Sequence, residues 1–388
     1  MRDKKEKKKR NKHISSAIAI ALFLICFMII GYLYATFFSD EERVVIFLAE
    51  SIVASLGAYL IYFVHIIVHE SGHLVFGLLT GYRFSSFRIL KFMWQKDDDG
   101  KIRYYNYNLA GTGGQCIMEP PGYKEDGKNP YVLYNIGGIV FNLILAAICG
   151  ICYILFQDTS DIAKFIFLVF VVIGVFTALI NGIPLKEISN DGSNIYELSK
   201  SGEAVRAFYI QMMGISFLKK GIRIKDFPEE WFVMPSDEDL KNYICAIMAV
   251  YICDRLFDEG EYGKADEVID NLLEKDIALS DVYRQMLKAN AIYCAALKKD
   301  RVKADQYLDD EYKKFMKTMQ TNPAVIRSQY AYELLINDDE KEAVKKLEFF
   351  DKIADKYPYQ IEIEAEREAI AHVKDVYQSG DTPYKEDL

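Results

Sequence analysis

Long stretches without a single charged residue alternate with short charged breaks along the first half of the chain. Residues 14–39, 131–157 and 165–185 hold no Asp, Glu, Lys or Arg, and residues 44–80 hold only two, Glu50 and Glu70. A helix rises 1.5 Å per residue, so about 20 residues cross a ~30 Å hydrocarbon core. Each stretch is long enough, and the pattern predicts four membrane spans. Between the second and third, "KDDDGK" (96–101) reads as a solvated turn. "IRYYNYNLAG" (102–111) alternates and is aromatic, which predicts a strand or hairpin. The Gly- and Pro-rich "GTGGQCIMEPPGY" reads as a loop.

Beyond residue 200 the pattern changes to amphipathic, densely charged helix. "GEYGKADEVIDNLLEKD", "DRVKADQYLDDEYKKF" and "DEKEAVKKLEFFDKIADKYP" align at Ala265, Ala304 and Ala343, with 39 residues between successive alanines (304−265, 343−304). Equal spacing of a small residue before an amphipathic helix predicts stacked helix–turn–helix repeats, resembling the tetratricopeptide style though not its 34-residue length. The expected fold is therefore an all-α polytopic membrane protein of about four spans (14–39, 44–80, 131–157, 165–185), with a small membrane-associated β-hairpin or loop. The expected domains are a basic tail (1–13), a membrane domain (14–200) and a soluble helical-repeat domain (201–388).

Charge refines this picture. Overall the 388 residues are 51% hydrophobic and 27% charged, with a net charge of −9. The first thirteen residues carry eight basic and two acidic groups, +6, which leaves −15 for the rest. A basic tail before a long span stays in the cytoplasm. Four spans then return the C-terminus to the same side, and the expected location is a multi-pass cell-membrane protein with both termini cytoplasmic. The acidic remainder gives no reason to expect nucleic acid. Seven cysteines without a spaced framework argue against a disulfide scaffold, and Cys149 and Cys152 lie in an uncharged run where packing explains them.

Candidate chemistry sits inside the second span. "HESGH" (69–73) fits H-E-x-x-H. On a helix, positions i and i+4 share a face, so His69 and His73 can reach one ion, with Glu70 beside them as a base toward water. Two imidazoles plus a carboxylate suit zinc with one position open. Ionisable groups within spans are rare and mark function. His65, one turn earlier, would close the open position as a fourth ligand, so a supporting role is expected of it. Asn142, a polar group in the middle of the third run, reads as an interhelical hydrogen bond.

"HESGHLVFGLLTG", "NIGGIVFNLILA" (135–146) and "NGIPLKEISNDG" (181–192) together resemble the site-2 protease family of membrane-embedded zinc metalloproteases, over roughly residues 44–195. The resemblance implies one Zn²⁺ per chain on His69, His73 and Asp191, with Glu70 as catalytic base. It further implies substrate-binding or oxyanion roles for Asn142 and Asn181, and for Gly113 and Gly114 in a loop beside the site. Six residues separate Pro184 from Asp191 where the family usually has four, so Glu187 is a rival ligand. The topology agrees. His69 lies 26 residues (69−43) beyond the first outer loop, about 39 Å of helix. Span 4 delivers 181–191 to the same side. The expected activity is zinc-dependent hydrolysis of a peptide bond in a membrane-embedded or membrane-associated protein or peptide. The repeats would hold a cytoplasmic protein partner. The alternative is a non-proteolytic zinc-binding scaffold or adaptor acting through its repeats.

Overall fold

The structure is a computed structural model that describes residues 2–38, 44–97, 99–107, 112–125, 128–185 and 189–379, without the side chains of 2–17, 19 and 44–51. It divides into two compact units, residues 1–89 with 113–200, and residues 90–112 with 201–388.

The first unit begins with α1 (Arg2–Phe38) and α2 (Val44–Leu79). The first helix starts at Arg2, so the basic tail is continuous with the first span. After α2 come β1 (Arg83–Ile89), α3 (Tyr131–Leu155), α4 (Asp161–Gly182) and α5 (Asp191–Leu198). Among the described residues, four helices are long and apolar enough to cross a membrane, over Ile20–Phe38, Ile52–Leu79, Tyr131–Leu155 and Asp161–Gly182. Span 4 thus starts at Asp161, four residues before its uncharged run, because Ser160 caps the helix by accepting a hydrogen bond from the Ala163 amide.

Glycine pairs set how closely these helices approach. A Cβ on Gly72 would stand 2.2 Å from the Gly137 carbonyl oxygen, and one on Gly137 would stand 2.4 Å from that of Gly72. No other residue fits either position, so α2 and α3 meet backbone to backbone. At the other end Phe165 of α4 is edge-on to Tyr34, Phe37 and Phe38 of α1. Many of the remaining large apolar side chains, such as Phe27, Leu56, Leu79, Ile148 and Leu155, are exposed, as lipid-facing positions are.

The stretch 114–119, expected as loop, is a strand, β4, paired antiparallel with β1 from Arg83↔Glu119 to Ile89↔Gly114. Cys116, Ile117 and Met118 are consecutive buried residues, so the alternation that marks a half-exposed strand is missing.

The second unit contains the anticipated hairpin, β2 (Phe92–Lys96) with β3 (Ile102–Asn106), in register from Phe92↔Asn106 to Lys96↔Ile102. Its helices are α6 (Gly202–Lys219), α7 (Tyr243–Asp258), α8 (Tyr262–Glu274), α9 (Asp281–Leu297), α10 (Arg301–Tyr307), α11 (Asp310–Thr318), α12 (Pro323–Ala331), α13 (Glu340–Ala354) and α14 (Gln360–Ser379). Ala265, Ala304 and Ala343 each fall three residues after the start of a helix and are fully buried. Just before each helix a residue takes a left-handed backbone, Gly260, Lys299 and Asp338, again at 39-residue intervals (299−260, 338−299). Only the first is glycine, and the other two accept φ near +54°. At the centre Arg327 stacks over Phe257 and Tyr293, hydrogen-bonds Asn290 and pairs with Glu366.

Candidate metal centre

The site is built where α2, α3 and α5 converge. On α2 the four-residue interval places His69 and His73 on one face, with Nε2 atoms 3.1 Å apart. Asp191 opens α5, and its Oδ2 lies 3.1 Å from His69 Nε2 and 3.4 Å from His73 Nε2. The Asp is 118 positions (191−73) beyond the second histidine, so the fold and not the local helix makes this contact.

The donor set fits a zinc ion. Nitrogen and oxygen ligands at about 2.0–2.1 Å in tetrahedral array lie about 3.3 Å from one another. The three separations, 3.1, 3.1 and 3.4 Å, match that edge length. Asp191 Oδ2 is shut off from solvent and accepts no protein hydrogen bond, which at such a depth calls for a positive partner. His73 Nδ1 lies 2.7 Å from the Tyr134 carbonyl oxygen. A carbonyl only accepts, so Nδ1 carries the hydrogen and the Nε2 lone pair is directed at the cluster. Among the described residues three donors come together, which would leave one vertex of a tetrahedral ion open.

Glu70 is buried beside the cluster and accepts a hydrogen bond from the Cys116 amide of β4. The Cys116 carbonyl in turn accepts from the Tyr134 hydroxyl at 2.7 Å. Gly114 of the same strand lies so near that a Cβ would stand 2.6 Å from Glu70 Oε1, and one on Gly113 would stand 3.1 Å from Ile66. Both glycines therefore lie directly against the histidine helix. Asn142 of α3 is placed between His65 and His69, within hydrogen-bonding distance of each. Asn181 spends its amide on the Thr177 carbonyl of its own helix at 2.9 Å. Glu187, the rival ligand, lies outside the described residues. His65 bonds Asn142 and the Phe170 carbonyl and is no part of the cluster.

The sequence reading passed over Asn190. Its side chain caps α5 by accepting from the Ser193 amide at 2.9 Å, and its NH₂ donates to the carbonyls of Ile180 and Ile183, each at 2.6 Å. That one residue ties the end of α4 to the start of α5 and so sets where Asp191 points. The signal was present as Asn at a helix N-cap. Asn135 of α3 adds a second tie, accepting from Asn194 at 3.1 Å.

Comparison with curated proteins and with solved structures returned no match. A family model does match, that of peptidase family M50, over residues 57–322. The match takes in His69, His73 and Asp191, and it continues past residue 195, where the motifs stop, into the second unit. The chain belongs to peptidase family M50, the site-2 protease family of membrane metallopeptidases.

Proposed function

We propose that the protein is an intramembrane zinc endopeptidase that hydrolyses a peptide bond in a membrane-embedded or membrane-associated protein or peptide. The observation that carries this reading is the convergence of His69, His73 and Asp191, with Glu70 held beside them, inside a bundle of apolar helices. One zinc ion per chain, held by those three ligands, would supply a Lewis acid that polarises the scissile carbonyl and acidifies water. Glu70 takes the proton from the attacking water and returns it to the leaving amine. Its bond from the Cys116 amide holds the carboxylate against β4 until water and substrate arrive. Asn142 and Asn181 are assigned to the substrate side of the cleft only by resemblance.

A helical substrate must unwind before its carbonyls can be attacked. β4 is the edge strand next to Glu70, and an extended peptide could pair along it. The Cys116 positions of that edge are already taken by Glu70 and Tyr134, so pairing would use the positions flanking them. Gly113 and Gly114, lacking side chains, let this edge come up against Ile66 and Glu70 of α2. We assign residues 201–388 to helical repeats that hold a cytoplasmic protein partner. The equal 39-residue spacing of buried alanines and left-handed turns supports this. The basic first residues support a cytoplasmic N-terminus. Family membership does not favour the scaffold reading.

Glu70→Gln tests the activity. In detergent or bilayers it should keep one zinc per chain and abolish cleavage of a transmembrane reporter peptide that the wild type cuts. Undiminished cleavage by this variant would refute the role of Glu70.

A further inference from the structure

We propose that His65 and Asn142 form a relay, anchored on a backbone carbonyl of α4, that fixes the tautomer of His69 and so turns its Nε2 lone pair toward the metal. The proposal rests on the metal-site reading above. It starts from three distances. His65 Nε2 is 3.1 Å from the Phe170 carbonyl oxygen, His65 Nδ1 is 3.0 Å from one end of the Asn142 carboxamide, and His69 Nδ1 is 3.3 Å from the other end. His65 reaches Phe170 because α4 has a glycine where the ring passes. A Cβ on Gly174 would stand 2.8 Å from His65 Cε1.

Counting hydrogens along this chain leaves one solution. Phe170 offers only a carbonyl, which accepts, so His65 Nε2 must carry the hydrogen. His65 is 0% exposed within the apolar bundle, and neither of its partners is charged. A second proton would make it an uncompensated buried cation, which is costly. A neutral ring has one N–H, so His65 Nδ1 is an acceptor and must face the Asn142 NH₂. The carboxamide is placed with Oδ1 toward His65. The two ends of an amide have the same shape, and the network decides between them. The consistent choice is the half-turn that gives NH₂ to His65 and Oδ1 to His69. His69 Nδ1 must then donate to Asn142, which leaves its Nε2 as a lone pair facing His73 and Asp191. Asn142 is 1% exposed, so no solvent relieves a mismatch.

His65 and Asn142 are thus positioning residues. Asn142 meets the cluster at His69 Nδ1, the ring nitrogen opposite the one that faces the ion site, and His65 acts through Asn142. They act by holding His69 ready to bind before any metal arrives, a role that oriented hydrogen-bond partners commonly fill for histidine ligands.

The test is ¹⁵N NMR of histidine-labelled protein in micelles, without and with zinc, beside competitive zinc titration. The His69 signals are identified by their loss in His69→Ala. Metal-free wild type should show His69 as the Nδ1–H tautomer alone. His65→Leu, which removes the acceptor, should give a tautomer mixture and weaken zinc binding by on the order of 10-fold, as loss of such partners does. A wild-type His69 found as the Nε2–H tautomer would overturn the proposal. So would a His65→Leu protein with both tautomer and zinc affinity unchanged. If that variant does not fold, the wild-type spectrum decides alone. The metal-free spectrum also separates the two readings. A wild type that takes up no zinc refutes the metal site, while its tautomer still reports on the relay.

Discussion

Replacing Gly138 with alanine should damage metal binding through a single methyl group. A Cβ at this position would stand 2.4 Å from His69 Cε1, 2.5 Å from Nδ1 and 2.6 Å from Nε2. Carbon atoms pack at about 3.5–4.0 Å, so the overlap is about 1 Å at these three ring atoms. The ring cannot swing aside freely, because Nδ1 is held by Asn142 and Nε2 belongs to the cluster. Metal–ligand distances in well-formed sites stay within about 0.2 Å of their usual values. Either the imidazole leaves its place or α3 backs away from α2, and overpacking of this kind costs about 1–3 kcal/mol. If that cost falls on the ligand, zinc affinity drops about 5- to 150-fold. Competition against a chromophoric chelator measures it, with Gly150→Ala on the same helix as control. There the new methyl would meet Val171 at 3.6 Å, an ordinary contact. Wild-type zinc affinity in a folded Gly138→Ala protein would refute the reasoning.

Three further outcomes follow from other parts of the molecule. Asp191→Asn should lower purified zinc content from one per chain to near zero while Glu187→Gln leaves it intact, and the reverse pattern would reassign the third ligand. Phe350→Ala, which empties a fully buried position in the second unit, should cost about 3–5 kcal/mol in thermal or denaturant unfolding, with zinc per chain unchanged. Burial, with Glu366 and Asp258 nearby and only partly offset by Arg327, pushes the Asp254 carboxyl up to about 7. The folded chain then holds that proton more tightly than the unfolded chain does. Stability from this group is present at acid pH and is lost as pH rises from about 4 to 7. Asp254→Asn should flatten that decline and raise the unfolding midpoint at pH 8, and an unaltered pH slope would count against the assignment.

Much of the candidate site, as a set of residues that the fold brings together, could be read from the sequence because its chemistry is periodic. His69, Glu70 and His73 announce themselves by a helical interval in an apolar run, and Asp191 by its place in a motif after a span. Asn190 was missed because its work is local capping, and nothing about a capping Asn says that a ligand comes next. β4 was missed because it is buried on consecutive residues, and β1 because Ser85, Ser86 and Arg88 are polar and yet buried. The 39-residue interval was visible in the alanines. The left-handed turns at Lys299 and Asp338 were not, since neither residue demands that backbone.

The distance along the chain between the histidines and Asp191 also orders events during biogenesis. Span 2 carries two of the three proposed ligands, His69 and His73, and would enter the membrane without the third. On the proposed ligand set, the site would be complete only once spans 3 and 4 are in place, α3 is closed on Gly72 and Asn190 caps α5. Tight zinc retention would therefore mark a fully assembled bundle. A nascent or truncated chain ending before residue 191 would carry the signature motif with no hold on the metal, which would keep an unfinished protease inert.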